Sequence, residues 1–128
     1  MNLSDQVTSL ELSRRLKELG VEHNSYFKYE VREFGWFEIY HSKATSCAHK
    51  YYPAYTVAEL GEILRKFELE TDRRLEIDYY HTYDGYNIVI KPMKVTGCNA
   101  IYTKSPKEAD ARAQTVIWLY ESGYMKNE

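Results

Sequence analysis

Two histidines and a cysteine lie close together in the chain and could form part of a metal site. His41, Cys47 and His49 fall within nine residues, and Cys98 could supply a distant fourth ligand. Zinc sites need such nitrogen and sulfur donors to converge in a tetrahedron. The spacings match no standard zinc motif, and the two cysteines form no Cys-x-x-Cys pair. We therefore predict no metal site and keep His41, Cys47 and His49 only as weak candidates.

A second group of titratable residues, Asp78, His81 and Asp84, could serve acid–base catalysis or a metal-dependent nuclease. Side chains alternate between the two faces of a β-strand, so Asp78 and His81 are expected on opposite faces. A solvated hairpin end accounts for all three residues. The chain contains no glycine-rich phosphate loop, nucleophile elbow or His-Glu-x-x-His motif. We therefore predict that it is not an enzyme and needs no cofactor.

A group of cations towards the C-terminus is the better candidate for binding chemistry. Arg112 lies two turns into a predicted helix whose N-terminus carries partial positive charge. Further cations flank that N-terminus or follow the preceding hairpin: Lys104, Lys107, Lys91 and Lys94. Together with Tyr51 and Tyr52, these residues could hold a phosphate and stack on a base. The alternative is that Arg112 only pairs with Glu108, one turn earlier.

Tyrosine is the unusual feature of the composition, with 13 Tyr against four Phe and two Trp. Its ring offers apolar area and its hydroxyl offers a polar tip, which suits half-buried sheets and contact surfaces alike. Both interpretations stay open. The Tyr-rich segments therefore form either sheet faces or a surface that binds a partner.

Charge and hydropathy restrict the environment of this 128-residue chain. The net charge of −2 argues against a general affinity for nucleic acid or anionic membranes, although it permits a local basic pocket. The apolar runs are only a few residues long, too short to span a bilayer. The N-terminus is polar and lacks the apolar core of a secretion signal. We expect a cytoplasmic protein with two reduced cysteines.

Three capping-box patterns predict the starts of the helices that must position these residues: Thr8-x-x-Glu11, Thr56-x-x-Glu59 and Ser105-x-x-Glu108. In each, the hydroxyl can accept from the amide three residues on, and the glutamate can reach back to the capping residue. The apolar stripes that follow predict helices from Thr8 to about Leu19, from Val57 to Phe67, and from Ser105 to Gly123. Gly20 is expected to end the first helix. The predicted inward face of the last helix is Ala109, Ala113, Val116, Ile117 and Tyr120.

Five segments rich in aromatic and β-branched residues predict strands: 25–31, 36–41, 75–81, 86–91 and 98–103. The Asp84-Gly85 pair is typical of a tight hairpin. Residues 42–55 show no periodicity, although their end could be a short edge strand. The order α-β-β-α-β-β-β-α predicts one α+β domain over residues 1–128. Three helices should pack mainly on one face of an antiparallel sheet of four or five strands.

Three segments of the chain resemble a family of small α+β proteins encoded by phages and prophages. They are VTSLELSRRLKELG at 7–20, YTVAELGEIL at 55–64 and EADARA at 108–113. In that family such helices recur around a variable, β-rich middle. The resemblance implies a phage origin and a fold, and it transfers no activity and no functional residue.

Phage genomes carry many small proteins that bind host factors stoichiometrically, which motivates the leading hypothesis. It is a counter-defence accessory protein of the host cytoplasm that binds a host defence protein or a small nucleotide signal. The alternative is an accessory protein of replication or recombination. Tyrosines interleaved with Lys28, Lys43, Lys50 and Arg73-Arg74 could then stack the bases of a single strand. The Ala109/Ala113 pair would let the last helix lie close to the sheet or to the second subunit of a homodimer.

Overall fold

The computed structural model describes residues 2–21, 24–31, 37–43, 50–70, 75–92 and 101–122. After a short 3-10 helix at Leu3–Asp5, the regular elements follow in this order: α1 Leu10–Glu18, β1 Phe27–Val31, β2 Phe37–His41, β3 Lys50–Ala54, α2 Val57–Glu70, β4 Leu75–Thr82, β5 Gly85–Pro92, β6 Ile101–Ser105 and α3 Glu108–Glu121. Across these ranges, none of the helices has the length and apolar character needed to cross a membrane.

The strands form two antiparallel sheets of three strands, in the orders β2-β1-β3 and β4-β5-β6. The predicted α+β class with three helices is therefore confirmed, and the single sheet of four or five strands is wrong. The difference arises because 50–54 pairs along β1 opposite β2 and leaves β1 with no open edge. The outer edge of β3 is also occupied. Lys17 Nζ of α1 donates to the Tyr51 carbonyl at 2.6 Å, which blocks further pairing there.

The main core lies between the three helices and the sheet β4-β5-β6. Its large buried side chains are Leu16, Tyr55, Leu60, Leu64, Phe67, Ile88, Ile90 and Leu119. A smaller core beneath the sheet β2-β1-β3 contains Val7, Tyr29 and Ala54. The chain thus has two apolar centres, and each sheet covers one of them.

Helix α3 lies at the centre of the molecule and packs against α1, α2, β5 and β6. The predicted inward residues Ala109, Ala113 and Val116 are fully buried, and Ala111 and Leu119 are buried as well. A helix that packs on several sides buries more than one stripe, which is why the amphipathic pattern underestimates its core face. Ala109 and Ala113 were expected to face either the sheet of this chain or a second subunit, and both lie within the core of this chain.

Only the second of the three capping-box patterns forms as predicted. The Thr56 hydroxyl accepts from Glu59 N at 3.3 Å, and Glu59 Oε1 accepts from Thr56 N at 3.0 Å. Helix α1 is capped instead by Ser9, whose hydroxyl accepts from Leu12 N at 3.4 Å. Ser105 closes strand β6, and α3 begins after Lys107, which makes no side-chain cap.

Thr8 is not a cap because it is fully buried and bonded to distant groups. Its hydroxyl accepts from Tyr55 N at 3.2 Å and shares a hydrogen bond of 2.6 Å with Ser13 Oγ. Its carbonyl accepts from the Tyr29 hydroxyl at 2.5 Å, and the next amide, Ser9 N, donates to Asp110 Oδ1 at 2.8 Å. The chain around Thr8 therefore joins the first sheet to the beginnings of α2 and α3.

Two glycines have positive φ angles at places where the sequence predicted a helix end and a tight hairpin. Gly20 has a φ of 76° and ends α1, with its amide donating to the Lys17 carbonyl at 3.0 Å. Gly85 has a φ of 138° and pairs with Thr82 across the hairpin of β4 and β5. A Cβ at Gly85 would lie 2.9 Å from the Ser105 carbonyl oxygen, so both the conformation and the space require glycine.

Candidate functional site

Arg112 is held at the junction of α3, α2 and β4 by three contacts. Its Nη2 donates to Glu108 Oε1 at 3.0 Å, and its Nη1 donates to the Val57 carbonyl at 3.4 Å. Its Cζ lies 4.6 Å from the centre of the Tyr79 ring, within the range of a cation–π contact. The pairing with Glu108 considered from the sequence is thus present. The contacts with Val57 and Tyr79 were not predicted.

Gly61 provides the space that this guanidinium occupies. A Cβ built at Gly61 would lie 2.5 Å from Arg112 Nη1, closer than real contacts allow. Glycine is unfavourable within a helix. Its presence at 61 lets the guanidinium lie against the backbone of α2, with the Tyr79 ring as its other neighbour.

A cavity of about 110 Å³ lies beside Arg112, and its walls are largely aromatic. Tyr79, His81 and Tyr86, on the helix-facing side of β4 and β5, line it together with Tyr80 and Asn87, which pair on the opposite face. His81 and Tyr86 are direct cross-strand neighbours, and their rings stack with centres 4.2 Å apart and planes 4° apart. The cavity therefore combines a cation with flat aromatic surfaces.

A wider cleft of about 700 Å³ lies next to this cavity, and Tyr86 and Glu108 line both spaces. Its other walls are the segment before α1 and the starts of α2 and α3: Asp5, Gln6, Thr56, Val57, Ala58, Pro106 and Lys107. Small-molecule sites usually enclose about 300–1,000 Å³. The cavity alone is too small for such a ligand, whereas the two spaces together are large enough. We call the two neighbouring spaces together the Arg112 cleft.

The phenol of Tyr79 remains neutral at physiological pH. Burial raises its pKa above the ordinary value, and the neighbouring Arg112 lowers it only in part. A neutral ring keeps its negative π face available to the guanidinium, and the hydroxyl can still donate a hydrogen bond.

The structure separates the lysines that the sequence grouped with Arg112. Lys104 pairs with Asp84 at 2.6 Å near the hairpin tip, and this contact, helped by Thr82, lowers the pKa of Asp84 to about 2. Lys91 pairs with Asp78 at 2.8 Å, which raises the pKa of Lys91. Neither lysine lines the cleft, because both lie on the sheet face opposite α3. Lys107 does line it, and Lys94 lies outside the described residues.

Tyr51 and Tyr52 lie on β3, in the other sheet, and contact cations of the chain itself. Lys28 Nζ is 4.7 Å from the centre of the Tyr51 ring. Arg14 Cζ and Lys17 Nζ lie 5.4 Å and 5.0 Å from the centre of the Tyr52 ring. Neither tyrosine lines the Arg112 cleft. Their contacts attach β3 to its neighbours.

Of the weak metal candidates, the structure describes only His41. It lies exposed at the end of β2, and its Nδ1 accepts from Lys43 N at 3.2 Å. Cys47, His49 and Cys98 lie outside the described residues. Within the part of the chain that is described, no three His, Cys, Asp or Glu side chains are grouped so that they could hold a metal ion.

The cleft residues that sequence reasoning missed are Tyr79, His81, Tyr86, Val57 and Gly61. Strand alternation already placed His81 on the face opposite Asp78, and the same rule puts Tyr79 beside His81 on that face. No local signal links either residue to Arg112. Val57 is 55 residues away from it along the chain, and a lone glycine in a helical pattern does not reveal which side chain needs its space.

Gly61→Ala is expected to displace the Arg112 guanidinium from Tyr79 with little change in stability. The clash involves the far end of a flexible side chain, and alanine favours the helix by about 1 kcal/mol over glycine. NMR resonances of the Arg112 side chain and the Tyr79 ring should shift, while the free energy of unfolding measured in urea stays within about 1 kcal/mol of wild type. Unchanged Arg112 and Tyr79 resonances would contradict the packing described.

No family model matches this chain, and neither the curated proteins nor the solved structures include a significant match to it.

Proposed function

We propose that this chain is a phage-type accessory protein that binds a small nucleotide-like anion stoichiometrically in the Arg112 cleft, with counter-defence as its setting. The observation that carries the proposal is the position of Arg112. Its guanidinium lies between the Gly61 backbone and the Tyr79 ring, beside an aromatic cavity that neighbours a wider cleft. The phage-like helix segments in the sequence supply the biological setting.

The chemistry of the cleft suits a ligand with one anionic group and one flat ring. A guanidinium can bind phosphate or carboxylate oxygens through two parallel hydrogen bonds. Tyr86 lines both parts of the cleft, so a planar ring in the wider part could lie against its stacked pair with His81. Lys107, directly before α3, adds a second positive charge to the lining of the wider part.

The test is a calorimetric titration of AMP into wild type and Arg112→Gln. Loss of the charged, forked donor should weaken binding by about tenfold or more, equivalent to at least about 1.4 kcal/mol. Arg15→Gln is the matched control, because Arg15 also pairs with glutamates but lies exposed on α1, outside the cleft. Equal losses in the two variants would refute a site at Arg112. The counter-defence role is tested by counting phage plaques on bacterial hosts whose defence uses a nucleotide signal. The counts are compared between hosts that express this protein and hosts that do not.

Single-stranded nucleic-acid binding is the second candidate, and one observation favours it. Tyr80 and Tyr102 lie on the outer face of the sheet β4-β5-β6 and are 49% and 72% exposed, so bases could stack on them. Lys91 and Lys104 on that face already pair with aspartates, which reduces the positive potential available to a phosphate backbone. Calorimetric titration of an oligothymidine into the wild-type protein at low salt tests this alternative. Absence of binding there excludes it.

A further inference from the structure

We infer that Glu108 is an internal substitute for the ligand's anionic group, and that the ligand carries a single phosphate which displaces Glu108 from Arg112. This inference rests on the proposed function and names both the class of ligand and the step that admits it. The class is a nucleoside monophosphate, in which one phosphate binds Arg112 and the base lies along the aromatic wall of the cleft.

On one edge of the Arg112 guanidinium, only one of the two nitrogen atoms donates a hydrogen bond to a described residue. Nη1 donates to Val57, and Nη2 donates to Glu108 Oε1. Nε shares an edge with Nη2, and it is buried with no hydrogen-bond partner among the described residues. An oxyanion in the plane of this edge would accept from Nε and Nη2 together. Glu108 accepts from only one of them, so a phosphate could make a hydrogen bond that Glu108 does not make here.

Glu108 is placed so that it can leave without disturbing the core. It is the first residue of α3, its side chain is 36% exposed, and Arg112 is its one hydrogen-bond partner among the described residues. The partial positive charge at the start of a helix favours a carboxylate there, and it favours a phosphate for the same reason. The exchange therefore replaces one anion by another at the same edge of Arg112.

The charges around the cleft favour one phosphate over two or three. Arg112 and Lys107 are the cations among its described lining residues, and Lys107 Nζ already lies 3.9 Å from Asp110. Asp5 and Glu108 line the same space. Each additional phosphate would add negative charge opposite these carboxylates, with no further lining cation to balance it. A monophosphate matches the local charge best.

The test compares AMP, ATP, adenosine and inorganic phosphate in calorimetric titrations of wild type, Glu108→Gln and Arg112→Gln. Removing the competing carboxylate should tighten AMP binding by about threefold or more, whereas Arg112→Gln should weaken it by about tenfold or more. ATP should bind more weakly than AMP, and adenosine should not bind. Glu121→Gln, which removes an exposed glutamate from the Arg15 pair, should bind AMP as wild type does. Thermal melts of each variant verify folding, with Glu108→Ala as the substitute if Gln is destabilising.

The outcomes separate this inference from the function on which it rests. If Arg112→Gln weakens AMP binding as expected but Glu108→Gln binds AMP no more tightly than wild type, Glu108 is only an anchor for Arg112 and the inference is wrong. If ATP binds as tightly as AMP, the inference that the ligand carries a single phosphate is wrong. Absence of AMP binding to both wild type and Glu108→Gln would reject the inference and the proposed function together.

Discussion

Thr8→Val should lower the free energy of unfolding by about 2–4 kcal/mol, because it removes both hydrogen bonds of a buried hydroxyl. Valine keeps the shape of threonine and removes the hydroxyl that accepts from Tyr55 N and bonds with Ser13 Oγ. Thr8 and Ser13 are fully buried, so water cannot replace the lost partner. A loss of this size is a large share of the roughly 5–15 kcal/mol that stabilises a typical domain.

Urea unfolding of Thr8→Val and Thr8→Ser isolates the contribution of the hydroxyl. Serine retains the oxygen and loses one buried methyl group, which should cost only about 1 kcal/mol. The Tyr29 hydroxyl is unaffected by either change, because it donates to the Thr8 backbone. Burial raises the pKa of Tyr29 to about 12, so this donor stays protonated in the assay. Equal destabilisation by valine and serine would show that packing, rather than hydrogen bonding, makes Thr8 important.

Glu59→Ala should cost about 3 kcal/mol or more, since hydrogen bonds to a charged acceptor each contribute about 1.5–3 kcal/mol. One carboxylate oxygen accepts from the amide and the hydroxyl of Thr56, both at 3.0 Å, and completes the cap of α2. The other accepts from Tyr26 N at 3.0 Å, directly before β1. Glu59 is only 4% exposed, so truncation leaves those donors unsatisfied. The loss should detach the first sheet from the start of α2.

Glu11→Ala is the matched control for Glu59→Ala, because both glutamates stand at the same position of a Thr-x-x-Glu pattern. Glu11 is exposed on α1, where the cap is Ser9, and its truncation should change stability by less than about 0.5 kcal/mol. Hydrogen exchange provides a second measurement, in which the Tyr26 amide should lose protection in Glu59→Ala alone. Similar stability losses for the two variants would contradict the role assigned to Glu59.

Local sequence patterns predicted most of the individual elements. The apolar stripes identified all three helices, Gly20 marked the end of the first, and Asp84-Gly85 marked the tight hairpin. These features depend on groups a few residues apart, so the chain alone specifies them. For residues 50–54 the sequence left an edge strand as one possibility, and the structure forms it. The strand that it pairs with, β1, lies about twenty residues earlier, so local patterns could not identify the partner.

The capping boxes show where local reasoning stops. Three segments carry the same pattern, yet only Thr56 and Glu59 form the reciprocal bonds. The Thr8 hydroxyl forms hydrogen bonds with Tyr55 N and Ser13 Oγ instead of capping a helix. Ser105 is the last residue of a strand that pairs with β5. A hydroxyl can cap a helix or bond elsewhere, and tertiary packing decides which partner it meets.

The contacts of Arg112 are likewise of two kinds, those predictable from the sequence and those that depend on the tertiary structure. The residues themselves establish that Arg112 and Glu108 can pair one helical turn apart, because their spacing puts them on one side of a helix. The tertiary structure adds Val57, Gly61 and Tyr79, which come from a different helix and a strand. It also directs Lys91 and Lys104 to the opposite sheet face. Contacts between distant segments depend on how helices and sheets pack, and the linear order of residues does not record that packing.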